Sequence, residues 1–267
     1  MARHLADKRA KRANKSNPRE ERNSPDYRQN RRSGRGAEIV DFDDARTAST
    51  RRKRVEIIPR SEAQEEYIDA MSDEQNAIVF AMGPAGCGKT LLATLFAIQQ
   101  LQSGAINKIV LTRPAVSVDE QHGFLPGTLI EKMAPWVIPI MDVFKEYYSP
   151  PQIEKMLEEE IIEIAPLAYM RGRTMKNCIV LADEMQNTKV SQMKMVLTRI
   201  GDNCRMFVTG DLNQHDGGFE TNGLGDFTQR LAARGSSKMA VVSFDAGDVE
   251  RHPVIEEILD LYGDDEI

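Results

Sequence analysis

Residues 82–94 read MGPAGCGKTLLAT and contain the octet Gly83-Pro84-Ala85-Gly86-Cys87-Gly88-Lys89-Thr90. The octet matches G-x-x-x-x-G-K-[ST], follows the apolar run AIVFAM at 77–82 and precedes a helical pattern at 90–102. In this context glycines let backbone N–H groups close around phosphates at a helix N-terminus, where the dipole favours an anion. The stretch therefore predicts a phosphate-binding loop (P-loop), with Lys89 at the β- and γ-phosphates and the Thr90 hydroxyl on Mg²⁺. Cys87 is interpreted as a small filler of this loop, with a redox switch as the alternative.

Short apolar runs rich in β-branched residues alternate with helical patterns after residue 60. We predict buried strands at 77–82, 108–112, 161–165, 178–183, 205–210 and 239–244, and helices at 90–102, 189–200, 224–234 and 253–262. This alternation predicts an α/β fold, a mostly parallel sheet with helices on both faces. Residues 123–157, which hold the single tryptophan, indicate a helical insertion. Its aromatic residues suit core packing or, alternatively, a partner surface; they are Trp136, Phe144, Tyr147 and Tyr148.

A pair of acids follows the apolar run at 178–182, in the stretch CIVLADEMQN. Four apolar residues followed by two acids is the Walker B form, in which Asp183 would hold Mg²⁺ and Glu184 would act as general base on a water. The alternative, that the acids merely end a strand, is disfavoured by the upstream P-loop.

A second polar cluster follows the next strand, in FVTGDLNQHD. Thr209, Asp211 and Gln214 are expected at the same sheet edge, where Gln214 would contact the γ-phosphate or the attacking water. An ordinary loop glutamine is the alternative for Gln214.

Charge is distributed unevenly along the 267 residues. Residues 1–60 hold 18 Lys and Arg against 9 Asp and Glu, a balance of +9, and the remainder holds 17 against 32, a balance of −15. Residues 1–60 lack apolar periodicity, so we predict a disordered basic arm, followed by one folded domain at 61–267. The arm is interpreted as a solubilising tail or as a segment that binds nucleic-acid phosphates, with docking to acidic proteins as a third alternative.

The composition argues against several other classes of protein. No window approaches the roughly 18 apolar residues of a membrane span, and the charged N-terminus does not resemble a signal peptide. The three cysteines form no CxxC pair, and the four histidines show no metal-ligand spacing. We therefore expect a protein of the reducing cytoplasm, with no membrane partner and no metal beyond Mg²⁺.

Further motifs resemble those of the PhoH-like proteins, P-loop ATPases whose core is similar to that of superfamily-one helicases. The resemblance covers about residues 60–263 and rests on AQEEY, GPAGCGKT, RPAV, GFLPG, RGRT, VLADEMQN, VTGDLNQHD and DVERHP. It implies a RecA-like P-loop NTPase fold. The family's usual DEAQN is DEMQN here, and its DVVRHP is DVERHP. Some relatives carry an RNA-binding or nuclease domain before the ATPase, whereas the basic arm stands there in this chain, as in similar stand-alone forms carried by bacteriophages.

The resemblance also implies roles for single residues. Gln64 resembles the helicase glutamine that reads adenine, which favours ATP, and Tyr67 would stack nearby. Arg251 resembles a late arginine that contacts the γ-phosphate, with Arg171 and Arg173 as competitors and surface ion pairing as the alternative for each. Glu250, beside Arg251, would tether that arginine away from phosphate.

The expected function is therefore Mg²⁺-dependent ATP hydrolysis coupled to binding or remodelling of RNA or single-stranded DNA. A single lobe needs a neighbour to close over the nucleotide, so we expect a homo-oligomer, such as a hexamer, with an arginine reaching across. The main alternative is an ATP-dependent regulatory switch without motor activity. A small-molecule kinase is disfavoured by Glu184 and Gln64.

Overall fold

The computed structural model describes residues 53–114, 129–214, 222–250 and residue 254. Six strands form one sheet in the order β3-β2-β4-β5-β1-β6. They are β1 (Ile78–Met82), β2 (Lys108–Thr112), β3 (Ile162–Ile164), β4 (Cys178–Ala182), β5 (Cys204–Gly210) and β6 (Met239–Ser243). Every pairing between neighbours is parallel. Five strands fall within the predicted runs, and β5 begins one residue before its run, at Cys204.

Helices connect the strands. They are α1 (Glu62–Ser72), α2 (Lys89–Ser103), α3 (Leu129–Lys145), α4 (Pro150–Glu158), α5 (Val190–Leu197) and α6 (Gly223–Arg234). Local sequence explains several ends: the Ser61 hydroxyl caps α1, Gly104 ends α2 in the left-handed conformation, and Asn222 caps α6 through two backbone N–H groups. The prediction of α2, α5 and α6 is confirmed, whereas the predicted helix at 253–262 lies outside the described residues apart from residue 254. The apolar patterns do not predict α1, since only three of its residues are buried and one of them is Gln64.

Alternate residues of the central strands point into two cores, one on each face of the sheet. Val79, Leu181 and Phe207 face the first core, to which α1, α2, α3 and α4 contribute. Phe80 and Val180 face the second core, which is completed by α5 and α6. Helices therefore cover both faces, and the predicted α/β architecture is confirmed.

The helical segment predicted at 123–157 is described from residue 129 onward as α3 and α4. Phe144 and Tyr148 are buried in the first core with their rings stacked at 6.4 Å, so these two aromatic residues serve core packing. Tyr147 is half-buried and holds the Lys53 ammonium 5.1 Å from its ring centroid. Trp136 is also only half-buried.

The folded unit begins before residue 61. Val55 is 2% exposed and belongs to the first core, so the structured chain starts earlier than the boundary predicted from composition. The basic arm up to residue 52 lies outside the described residues. None of the helices that the structure describes is long and apolar enough to cross a bilayer.

Candidate nucleotide-binding site

The octet at 83–90 forms the predicted loop between β1 and α2. Gly83, Gly86 and Gly88 all have positive φ, at 145°, 93° and 83°, a region that residues with a Cβ rarely adopt. Gly83 is further restricted by a close approach, because a Cβ there would lie 2.4 Å from the Phe244 carbonyl oxygen. All three glycines of the loop are therefore required by backbone geometry, and Gly83 is also required by packing.

Lys89 lies across its own loop. Its Nζ donates to the carbonyl oxygens of Gly83 and Pro84, both at 2.6 Å, and lies 3.4 Å from the Cys87 Sγ. The Cys87 thiol is fully buried and donates to the Pro84 carbonyl at 3.0 Å, an arrangement that suits the filler interpretation. Lys89 is thus held at the centre of the loop, where a bound phosphate would compete with these carbonyls for its ammonium group.

Asp183 joins three elements at the carboxyl edge of the sheet. Its Oδ1 accepts hydrogen bonds from the hydroxyls of Thr90 at 2.7 Å and Thr209 at 2.5 Å. This is possible because β5, which ends with Thr209 and Gly210, lies between the P-loop strand β1 and the Asp183 strand β4. A hydroxyl and a carboxylate oxygen side by side are ligands that suit Mg²⁺, so the residues present fit that ion.

No group of three or more His, Cys, Asp or Glu side chains within the described ranges could hold a metal by itself. Any Mg²⁺ here would therefore depend on water and phosphate oxygens for its other ligands, which is how Mg²⁺ is commonly bound in proteins.

Glu184, the residue after Asp183, has a strained backbone conformation. Its φ of 54° and ψ of 40° are left-handed, which costs a non-glycine residue about 1–2 kcal/mol. Its Oε2 accepts a hydrogen bond of 2.5 Å from the Gln186 Nε2, and the Gln186 Oε1 accepts from the Asp211 backbone N–H at 3.1 Å. Gln186, 1% exposed, therefore connects Glu184 to the end of β5. The sequence analysis did not assign Gln186 a role, although it lies inside the motif DEMQN.

A cavity of about 310 Å³ opens between the loop and the strand ends. Its lining brings together most of the predicted site residues: Ala85, Gly86, Gly88, Lys89, Thr90, Leu91, Asp183, Glu184, Thr209, Gly210, Asp211 and Gln214. Gln214 thus lies where the sequence predicts it.

A second cavity of about 520 Å³ adjoins the first and shares Gly86, Gly88 and Leu91 with it. Gln64 lines this second cavity, donating its amide to the Cys87 carbonyl at 3.2 Å and accepting from the Arg60 backbone N–H at 2.9 Å. The glutamine of AQEEY therefore contacts the loop directly.

Tyr67 does not line either cavity. It is 0% exposed and packs edge-to-face on Phe244 at 5.9 Å. The prediction that Tyr67 stacks on a base is wrong for this structure, because neither face of its ring is accessible.

Comparison with known proteins identifies the family. A sequence model described as PhoH-like protein matches residues 56–263. The chain belongs to the PhoH-like family. It is 45% identical over 201 residues to the PhoH-like protein of Bacillus subtilis (strain 168), covering 74% of this chain and 61% of that protein. It is 39% identical over 209 residues to Protein PhoH of Escherichia coli (strain K12), covering 77% and 58%. The chain thus spans about three fifths of the length of these curated relatives.

The solved structures to which the chain is similar include a helicase and an ATPase core. The Pif1 helicase from Candida albicans gives a TM-score of 0.38 at 13% identity, covering 78% of this chain and 44% of that one. The Sulfolobus solfataricus SWI2/SNF2 ATPase core in complex with dsDNA gives a TM-score of 0.41 at 10% identity, covering 73% and 46%.

The arginines of this PhoH-like chain lie in different settings. Arg173 forms a bidentate pair with Glu163, at 2.5 and 2.9 Å, and these hydrogen bonds hold the pKa of the Glu163 carboxyl below its usual value. Arg171 is exposed and makes no hydrogen bond or ion pair with the described part of the chain. Arg251 lies outside the described residues. Glu250, predicted to tether Arg251, forms an ion pair with Arg60 at the second cavity.

Arg113 is the residue that sequence reasoning missed. It follows β2 in the motif RPAV, and its guanidinium forms ion pairs with both acids of the Walker B pair, 3.6 Å from the Asp183 Oδ2 and 3.8 Å from the Glu184 Oε1. The motif RPAV draws attention to Arg113, but only the pairing of β2 with β4 shows which residues Arg113 contacts.

Proposed function

We propose that this PhoH-like chain binds ATP with Mg²⁺ and hydrolyses it. The proposal rests above all on one observation: the loop threonine Thr90, the β5 threonine Thr209 and the Walker B Asp183 form one hydrogen-bonded cluster, beside Lys89 and Glu184 in the same cavity. Thr90 and Asp183 would hold the metal ion, which supplies positive charge to the phosphates when bound.

The chain's own groups account for the remaining steps. Lys89 and the loop N–H groups would bind phosphate oxygens, exchanging carbonyl partners for charged ones. Glu184, at the mouth of the same cavity, would accept a proton from the attacking water, and Gln214 would orient that water or sense the γ-phosphate. Gln64, between the loop and the second cavity, supports an adenine preference.

The test of hydrolysis is phosphate release by the purified chain with ATP and Mg²⁺. Glu184→Gln keeps the size and shape of the side chain but removes the base, so it should retain ATP and lose turnover. Normal turnover in this variant would place the base elsewhere.

We further propose that turnover is coupled to RNA or single-stranded DNA through the basic arm. Residues 1–51 hold 14 Lys and Arg against 8 Asp and Glu, and this balance of +6 gives the arm a long-range attraction for phosphate that weakens with salt. Poly-U and oligo-dT should stimulate phosphate release several-fold. Removal of residues 1–51 should lower nucleic-acid affinity and its salt dependence while leaving basal hydrolysis intact. A flat response to both polymers would favour the alternative, a nucleotide-dependent switch.

We propose that a homo-oligomer, such as a hexamer, completes the site. No arginine lines the phosphate cavity within the described ranges, and its rim includes the apolar side chain of Leu91, which is 46% exposed. A neighbouring copy would cover this rim and supply a cation from Arg251, Arg171 or Arg173. Sizing with ATP and Mg²⁺ tests this, and a clean monomer at micromolar concentration would contradict it. The three cysteines are free, which suits the proposed cytoplasmic location.

A further inference from the structure

Arg113 occupies a place beside the Walker B pair that the strand pairing dictates. Thr112 and Ala182 are register partners at the ends of β2 and β4, and the Asp183 backbone N–H donates to the Thr112 carbonyl at 3.0 Å. The next residues, Arg113 and Asp183, therefore leave the same edge of the sheet together.

The guanidinium of Arg113 is engaged on two sides. On one side it pairs with Asp183 and Glu184, and with only 19% of its side chain exposed these ion pairs are screened less than surface pairs. On the other side it lies 5.1 Å from the ring centroid of Trp136 in α3, and its Nη1 donates to the Trp136 carbonyl at 3.4 Å. Its buried Nε has no acceptor within the described part of the chain.

In this arrangement each carboxylate oxygen of Glu184 lies beside a protein group. Its Oε2 is held by the Gln186 amide, and its Oε1 faces the Arg113 guanidinium. A general base must offer a lone pair to the attacking water, and a neighbouring cation competes with that water. In the structure, each of the two Glu184 oxygens that could take this role therefore lies beside a protein group.

We propose that Arg113, supported by Trp136, is a positioning residue that restrains Glu184 until single-stranded nucleic acid engages Trp136. The inference rests on the proposed hydrolysis of ATP and adds its regulation. A nucleobase stacks on an indole face as a guanidinium does, so a base bound at the half-buried Trp136 competes for the ring that holds Arg113. Withdrawal of Arg113 then frees the Oε1 of Glu184.

The variant Arg113→Gln tests the restraint, since it removes the charge and keeps a polar side chain. We expect basal kcat for ATP to rise about fivefold, equivalent to about 1 kcal/mol, with KM nearly unchanged. Stimulation by oligo-dT should fall by the same factor, because the restraint it relieves is already absent. Trp136→Ala should show the same rise in basal kcat and the same loss of stimulation. Trp136→Phe keeps an aromatic face, so both quantities should stay close to their wild-type values.

Arg230→Gln is the matched control. Arg230 is an exposed arginine on α6 that pairs with Asp226 at 2.8 Å, so its loss removes the same charge away from the site. A merely structural loss at position 113 would lower kcat or the melting temperature and would not raise turnover. Unchanged or lowered kcat in folded Arg113→Gln, with oligo-dT stimulation intact, overturns the restraint.

Trp136 provides a second readout that does not depend on hydrolysis. It is the single tryptophan of the chain, so intrinsic fluorescence reports its surroundings alone. Emission should differ between the wild type and Arg113→Gln, and oligo-dT should change the wild-type emission toward the variant's value. An emission unaffected by oligo-dT contradicts the proposed release. If the wild type releases no phosphate under any condition, the proposed function fails, while the contact between Arg113 and Trp136 is still judged by fluorescence.

Discussion

Substitution of Gly83 by alanine tests the close packing of the P-loop against the end of β6. Gly83 has a φ of 145°, and a Cβ on it would lie 2.4 Å from the Phe244 carbonyl oxygen and 2.7 Å from the Phe244 Cβ. Two of the closest atoms are backbone atoms of Phe244, whose N–H donates to the Met82 carbonyl at 2.7 Å. No rotation of a flexible side chain can relieve the contact, so the chain itself must move.

Gly104 supplies a control that separates backbone strain from this contact. It ends α2 with a φ of 77°, and a Cβ there would meet nothing within 4 Å. Gly104→Ala should therefore cost only the strain of a non-glycine residue at positive φ, about 1–2 kcal/mol. Gly83→Ala adds overpacking of about 1–3 kcal/mol, for a total of about 2–5 kcal/mol.

Thermal unfolding and nucleotide titration measure the difference. For a domain of this size we expect the melting temperature to fall by about 5 °C in Gly104→Ala and about 10 °C in Gly83→Ala. Only Gly83→Ala should also weaken ATP binding, because the displaced loop carries the phosphate-binding N–H groups. Equal losses of stability in the two variants, with equal ATP affinity, would refute the close approach of the loop to β6.

Three further substitutions probe single groups. Lys89→Ala should weaken ATP binding tenfold or more, roughly the loss of one charge-assisted hydrogen bond, and an unchanged dissociation constant in calorimetry would argue against the P-loop assignment. Thr209→Val removes a hydroxyl from the buried Asp183 carboxylate, so the free energy of unfolding in urea should fall by about 1–3 kcal/mol. The hydrogen bonds from Arg173 lower the pKa of the Glu163 carboxyl. The ion pair between them therefore stabilises the protein fully above the carboxyl's usual pKa of 4.5, and this stabilisation is lost as the pH falls through the lowered pKa. Glu163→Gln should flatten that loss as the pH falls below 4.5, and identical acid profiles for variant and wild type would contradict the pairing.

The strands were predictable because a parallel strand covered on both faces must be apolar throughout. The runs at 77–82 and 178–183 show this pattern, and the structure places Ile78–Met82 and Cys178–Ala182 within them. The helix α1 was not predictable in the same way, since its buried face includes the polar Gln64, whose amide finds partners in Arg60 and Cys87. Local apolar pattern cannot anticipate a buried polar residue whose partner lies 23 residues away.

The residues of the candidate site also fall into two groups, those that local sequence predicts and those that it does not. The loop glycines, Lys89 and the acids Asp183 and Glu184 are recognisable because their spacing and neighbouring apolar runs are local features of the chain. Gln186 and Arg113 carry no such pattern, because their roles depend on which strands lie side by side.

The P-loop motif after one buried strand and the acid pair after another can be recognised from the amino-acid sequence alone. The sequence also determined an acidic domain preceded by a basic segment, because composition and charge need no folding to be read. Three contacts follow only from the tertiary structure: Thr90 meets Asp183 across 93 residues, Thr209 shares the same carboxylate, and Arg113 forms an ion pair with Glu184. The physical reason is that hydrogen bonds and ion pairs act over a few ångströms, so their partners are set by the strand order β3-β2-β4-β5-β1-β6 and not by separation along the chain.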